Sequence, residues 1–178
     1  FRKRSFREGQ VHLIQRTLQR RSTIALLPTG AGKSLAYQMA ALLQPGVTPV
    51  VDPIKSLMRD QRINLGEEGI DAAEYINSSL SASQREERLE KLEEGRTQIV
   101  LVSPERLMIP SFRKRLSEMA DSGVWFSHCV IDEAHCVSEW GHDFRTTYLR
   151  LGENARRLLD TGTDEDVPIL ALTGTASY

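Results

Sequence analysis

Thr23-Ile-Ala-Leu-Leu-Pro-Thr-Gly-Ala-Gly-Lys-Ser34 is the stretch that decides the reading of this 178-residue chain. Thr23–Leu27 is a short apolar run closed by Pro28, which predicts a buried strand. Lys33–Leu43, rich in Ala, Leu and Met, predicts a helix. Between them Thr29, Gly30, Ala31 and Gly32 form a turn. Its glycines let backbone N–H groups point inward around phosphate oxygens, and the helix N-terminus adds its positive end. Lys33 can reach the β- and γ-phosphates of a nucleotide, and the Ser34 hydroxyl can ligate Mg²⁺. Leu27 stands where the strictest form of this loop pattern has glycine.

Working outward, strand-like and helix-like segments alternate. A helix is expected over residues 10–20, with Val11, Ile14 and Leu18 as its apolar stripe. Strands are expected at Val47–Val51, Gln98–Val102, Val124–Ile131 and Pro168–Thr173. Asp52-Pro53 and Ser103-Pro104 read as helix starts, with Asp and Ser as N-caps and proline in the first turn. Ser81-x-x-Gln84 is a capping box opening a helix to Glu94, with Ala82, Leu89 and Leu92 inward. A further helix is expected from Pro110 to Asp121, and a surface loop over Asp160–Asp166. Strands separated by helices need crossover connections. The expectation is therefore an α/β fold, a mainly parallel sheet with helices on both faces.

Composition narrows the class. Hydrophobic residues make up 40% and charged residues 26% of the chain, which argues against disorder. No apolar run approaches the ~18 residues of a membrane span, so no membrane partner is expected. The N-terminus, Phe1-Arg-Lys-Arg4, shows no signal-peptide pattern, and the missing Met suggests a chain cut from something longer. Net charge is −1, yet residues 1–34 hold eight Lys and Arg against Glu8 alone. A basic end on a near-neutral chain can meet phosphates locally. Two cysteines, Cys129 and Cys136, make no disulfide framework and suit a cytosolic or nuclear compartment. His128, Cys129, His135, Cys136 and His142 crowd together, but their spacing fits no standard zinc finger. Trp125 and Phe126 read as core.

Cys129-Val-Ile-Asp-Glu-Ala-His135 is the second chemical signal. A buried strand ending in Asp-Glu places two carboxylates where ligands of open parallel sheets bind. Asp132 is the candidate Mg²⁺ holder, and Glu133 the candidate base for the attacking water. Farther on, Trp140 and Phe144 offer π-faces for bases, and His142 and Arg145 offer donors to phosphate or bases.

Asp132-Glu-Ala-His-Cys-Val-Ser-Glu-Trp-Gly-His-Asp-Phe-Arg145 resembles the DEAH box and aromatic-rich loop of the RecQ family of DNA helicases. The likeness spans essentially the whole chain. Phe6-Arg-Glu-Gly-Gln10 resembles that family's adenine-recognition motif, Asp52–Gln61 its motif Ia, Ser103–Leu107 a DNA-contacting segment, and Ala171–Ala176 its motif III. The resemblance implies that residues 1–178 form a RecA-like P-loop NTPase domain, the first of two in a superfamily 2 helicase. ATP and Mg²⁺ are the implied cofactors. It implies adenine contacts from Arg7 and Gln10. Nucleic-acid contact or coupling is implied for Lys55, Ser103, His135, Trp140, His142, Phe144, Arg145, Thr173 and Thr175. The implied partners are single-stranded or partly duplex DNA and a second RecA-like domain carrying an arginine finger, which these residues do not include. The implied location is the cytoplasm, at the bacterial nucleoid, or the nucleus of a eukaryote. Three positions depart from the family pattern: Lys3 in place of a stacking aromatic, Glu139 before the loop tryptophan, and Lys55 in motif Ia. An RNA helicase of the same superfamily, or a DNA-binding ATPase without unwinding, remains an alternative.

Overall fold

The computed structural model describes residues 4–136 and 167–174. Its centre is a six-stranded sheet, all of whose pairings are parallel. The strands are β1 (Thr23–Leu26), β2 (Thr48–Val51), β3 (Ala73–Ile76), β4 (Ile99–Val102), β5 (Cys129–Ile131) and β6 (Ile169–Thr173), in the order β1-β6-β5-β2-β4-β3. The helices are α1 (Gln10–Leu18), α2 (Lys33–Leu42), α3 (Lys55–Glu67), α4 (Ala82–Glu93) and α5 (Pro110–Asp121), with a 3₁₀ turn at Pro104–Met108.

The two-residue period of a strand sorts the side chains into two layers. Val50, Ile99, Leu101, Val130, Leu170 and Leu172 face one core together with Leu13 of α1, Tyr37 of α2 and Met58 of α3. Val51, Val100, Val102, Cys129 and Ile131 face the other, with Leu92 of α4 and Phe112 and Leu116 of α5. Helices thus cover both faces, as expected for a parallel sheet. No helix among the described residues is long and apolar enough to cross a membrane.

Several local expectations change. The segment Thr23–Leu26 is an edge strand, not a buried one: it pairs only with β6 among the described residues, and Ile24 is 84% and Leu26 58% exposed. The inward face of α1 is Leu13, Ile14 and Thr17, with Val11 and Leu18 exposed. Asp52 does not cap a helix. Its carboxylate accepts from Ile54 N two residues on, and α3 starts only at Lys55. Likewise Ser103 precedes a 3₁₀ turn, and its hydroxyl makes no cap. Ala82 is exposed, which leaves Leu89 and Leu92 as the buried face of α4. The segment Val124–Ile131 pairs as a strand only over Cys129–Ile131, apart from an isolated bridge between Phe126 and Val47. Strand β3 is unmarked in the sequence because its four residues carry Glu74 among three apolar ones. That carboxylate is buried and held by Lys91 and Arg88. The capping box at Ser81 and Gln84 forms in both directions. Phe126 is fully buried, and Cys129 and Cys136 are both buried and unbridged. The expected loop at Asp160–Asp166 lies outside the described residues.

Candidate functional site

The phosphate loop connects β1 to α2. Gly30 and Gly32 both have φ +81°, in the left-handed region that glycine enters without a Cβ penalty. Gly32 is the N-cap of α2, so the helix's free amides open toward the loop. A Cβ on Gly32 would lie 2.4 Å from Gln10 Nε2, so glycine is also needed for close approach.

That approach braces the loop. Gln10 Nε2 donates to the carbonyls of Ala31 (3.2 Å) and Gly32 (3.0 Å), and Arg7 N donates to Gln10 Oε1 at 2.8 Å. The Arg7 guanidinium donates to the Gly30 carbonyl. Arg7 and Gln10 therefore hold the loop's backbone, and both protons of the Gln10 amide are engaged there.

Lys33 projects from the first residue of α2 and is almost fully buried. Its Nζ lies 3.5 Å from Glu133 Oε1. The loop and the carboxylates flank β6, whose end passes beneath them as Thr173-Gly174. A Cβ on Gly174 would stand 3.1 Å from both Lys33 Nζ and Thr29 Oγ1, so the absence of a side chain there keeps the cradle open.

Asp132 and Glu133 follow β5 directly. Asp132 is buried and its Oδ1 accepts from Glu133 N at 2.9 Å. Burial pushes its carboxyl up to about 6, the Glu133 charge adds to the rise, and Lys33 and His135 oppose it. Glu133 sits at φ +49°, a left-handed conformation uncommon for a residue with a Cβ and typical of strained functional turns. His135 Nδ1 lies 3.2 Å from Glu133 Oε2 and 3.0 Å from Thr173 Oγ1, and Ala134 N donates to Leu172 O at 2.8 Å. The turn after β5 is thus tied to the end of β6 by backbone and side chain together.

The candidate phosphate loop and the Asp-Glu-Ala-His turn thus face each other across the end of one strand. The DEAD/DEAH box helicase family model matches residues 7–178. The chain belongs to this family. It is 42% identical, over 98% of its length, to the ATP-dependent DNA helicase RecQ of Haemophilus influenzae, and covers 26% of that protein. It is 44% identical, over 97% of its length, to the ATP-dependent DNA helicase Q-like 5 of Arabidopsis thaliana, and covers 18% of it. The chain thus spans about a quarter of the first of these relatives and less of the second. Among solved structures, the helicase domain of Pyrococcus furiosus Hef superposes with a TM-score of 0.66 at 21% identity, over 97% of this chain and 33% of that one. That likeness bears on fold alone.

Membership in the DEAD/DEAH box helicases implies use of ATP and Mg²⁺, and the residues present fit both. The donor set around the loop is hard oxygen, Ser34 and Asp132, as Mg²⁺ requires. Lys33, the loop amides and the space above Gly174 suit a chain of phosphates.

The remaining expected contacts are spread out. Lys55 opens α3 and pairs at the surface with Glu105 (3.2 Å). Ser103 is fully buried, and its hydroxyl has no partner in the described structure. Trp140, His142, Phe144, Arg145, Thr175 and the departure at Glu139 lie outside the described residues, as does Lys3.

Sequence reasoning missed a buried polar group behind the site. Asp52, Tyr37, Gln38 and Gln61 are all buried. Burial pushes the Asp52 carboxyl up to about 7, against the Ile54 amide, and the Asp132 and Glu133 charges add to the rise. The Tyr37 hydroxyl is likewise raised well above its usual range, by burial first and then by Asp132 and Asp52. The available signal was positional. Gln61 falls between Met58 and Leu65 on the inward face of a helix, where an apolar residue is usual.

Proposed function

We propose that this chain is the ATP-binding and ATP-hydrolysing motor domain of a DNA helicase. In this reading it couples hydrolysis to translocation and unwinding together with a second RecA-like domain. The observation that carries the reading is the convergence of Lys33, Asp132 and Glu133 at the carboxyl edge of the sheet, on either side of the Thr173-Gly174 end of β6.

Lys33 and the amides of residues 30–34 would hold the β- and γ-phosphates. Ser34 and Asp132 would hold Mg²⁺, which when bound neutralises charge developing on the phosphates. Glu133 Oε1 leaves Lys33 for the incoming water and takes its proton. Arg7 and Gln10 keep the loop in shape, and contact with adenine from Gln10 requires its amide to release a loop carbonyl. The His135–Thr173 contact supports a coupling role for the turn, because a change at Glu133 reaches β6 through it. Lys55, half-exposed and paired only at the surface with Glu105, supports a phosphate contact on DNA once that pair opens. Buried unbridged thiols support a reducing compartment, cytoplasm or nucleus.

The test is hydrolysis by the full-length protein with single-stranded DNA, with RNA or with neither, alongside a fluorescence strand-separation assay. DNA-stimulated hydrolysis and ATP-dependent unwinding are expected, and Lys33→Ala should abolish nucleotide binding. Stimulation by RNA alone would replace the DNA reading with the RNA one. Stimulation without unwinding would leave a DNA-binding ATPase.

A further inference from the structure

Strands β3 and β4 lie at the opposite side of the sheet from β1 and its phosphate loop. They run in register, with Ile76 beside Val102, so Asn77 and Ser103 leave the sheet side by side. Ser103 N donates to Ile76 O at 3.3 Å, and Arg106 N to Ser103 O at 2.9 Å. The turn from Asn77 to Leu80 is fixed by the Asn77 side chain, whose Oδ1 accepts from Ser79 N (3.0 Å) and Ser79 Oγ (2.6 Å). Two guanidiniums grip the ends of this turn. Arg106 Nη2 donates to Asn77 O, and Arg85 Nη2, from near the start of α4, donates to Leu80 O, each at 3.2 Å.

These two arginines differ from the other cations of α4 and α5. Arg88, Lys91 and Arg115 each meet a glutamate. Arg85 and Arg106 pair with no carboxylate among the described residues. Glu86 and Glu87 follow Arg85 directly, but their carboxylates go to Arg115 and Lys91. Glu105, next to Arg106, turns to Lys55 at 3.2 Å. Each guanidinium thus uses one of its five N–H groups. Among the described residues, four side-chain polar atoms are buried without a hydrogen-bond partner, and three of them border this turn: Arg85 Nε, Arg106 Nε and Ser103 Oγ. All three can donate. Unpaired donors in a poorly solvated place are costly, most of all on charged groups, and call for an acceptor.

That acceptor has to serve donors from three side chains on different elements. A carboxylate is planar and one guanidinium fork satisfies it. A phosphate offers oxygens in several directions and matches arginine geometry. We propose that Arg85 and Arg106, backed by the Ser103 hydroxyl, form a phosphate-binding site separate from that of the nucleotide. Ser103 is fully buried, so the half-buried Arg85 is the group that meets a phosphate arriving from solvent. The phosphate belongs to a nucleic-acid backbone or is free in solution. The reading of this chain as a DNA motor favours the backbone, and only that choice rests on it.

The test uses the full-length protein and two probes, a fluorescent single-stranded oligonucleotide and inorganic phosphate, with the melting temperature of every variant recorded. Arg85→Gln should weaken oligonucleotide binding about three- to ten-fold and flatten the slope of log affinity against log salt by about 0.7, the share of one phosphate on a single strand. Arg106→Lys keeps the charge but loses the fork, and should weaken binding about three-fold with the slope in place. Lys114→Gln removes an exposed cation that pairs with Glu118 and should change neither quantity. Inorganic phosphate is read by its effect on melting temperature in a Lys33→Ala background, which lacks the phosphate loop's own ammonium. A rise there that Arg85→Gln abolishes, with oligonucleotide binding unchanged, would keep the site and make its ligand free phosphate. Unchanged affinity, salt slope and phosphate response in Arg85→Gln would overturn the proposal, as would an equal loss of binding in Lys114→Gln. If the wild-type protein binds no oligonucleotide, it is the DNA-motor reading that fails, and the phosphate response alone decides the site.

Discussion

The sheet carries a buried polar cluster at each end, and the two are built on different principles. At the amino end Thr48 and Ser127 share a 2.7 Å hydrogen bond, and Ser127 Oγ meets His128 Nδ1 at 3.2 Å. Arg20 donates to Ser127 O at 3.0 Å and lies over the Trp125 ring. The His128 imidazole is pushed down to about 4 by burial and by Arg20, so it stays neutral at physiological pH. Here the Arg20 cation meets neutral polar groups, Thr48, Ser127 and His128. At the carboxyl end the Asp132 and Glu133 charges raise Asp52, the Glu133 charge raises Asp132, and the Lys33 ammonium lies 3.5 Å from Glu133. Like charges brought together in a poorly solvated place weaken the fold, and their excess negative charge suits a cation. The amino end is arranged for stability, the carboxyl end for binding.

The largest effect expected from breaking that contrast is at Glu133. Glu133→Gln removes the carboxylate proposed to accept the water's proton and should lower single-turnover ATP hydrolysis by ~10²–10⁴-fold with nucleotide affinity retained. Wild-type turnover in that variant would take the base role from Glu133.

Next is the pH dependence of stability. The native state holds the Asp52 carboxyl at about 7, above the ordinary carboxylate value, so the folded chain keeps a proton that the unfolded chain has released. Stability of the ligand-free protein should therefore fall as pH rises from about 4 to about 7, by roughly 2–4 kcal/mol from this group. Asp132, raised to about 6, acts in the same direction. Asp52→Asn should flatten the slope of melting temperature against pH over that window while keeping the acceptor for Ile54 N. A slope equal to the wild type would show that Asp52 does not titrate there.

The amino-end cluster should answer differently. Thr48→Val is expected to lower unfolding free energy by about 1–2 kcal/mol, read by denaturant titration, at every pH between 5 and 8. The smallest effect is at Arg20. Arg20→Ala loses the contact over Trp125 and should cost about 0.5–1 kcal/mol, with nucleotide binding unaffected. A change in nucleotide affinity in either variant would mean that the two ends communicate through the sheet.

Much of this molecule was legible from residue order alone. The α/β class, the loop at Thr29–Ser34, the Asp132-Glu133 turn, the capping box at Ser81 and the helix at Pro110–Asp121 all rest on local chemistry. Glycine, proline and short polar side chains restrict their own backbone, and the two-residue and 3.6-residue periods mark the buried faces. What escaped was decided by neighbours distant in sequence. Ile24 and Leu26 look like core residues, and only the strand order puts β1 at an edge. Asp52 reads as a helix cap, yet it points into the core because Gln61, nine positions on, turns its amide toward it. Gln10 reads as a base-contacting residue, and the fold has its amide on the loop's carbonyls. In each case the sequence determined which groups could make hydrogen bonds or be buried. The tertiary structure chose the partners, because a buried donor or acceptor must be satisfied by whatever the packing of the layers brings within reach.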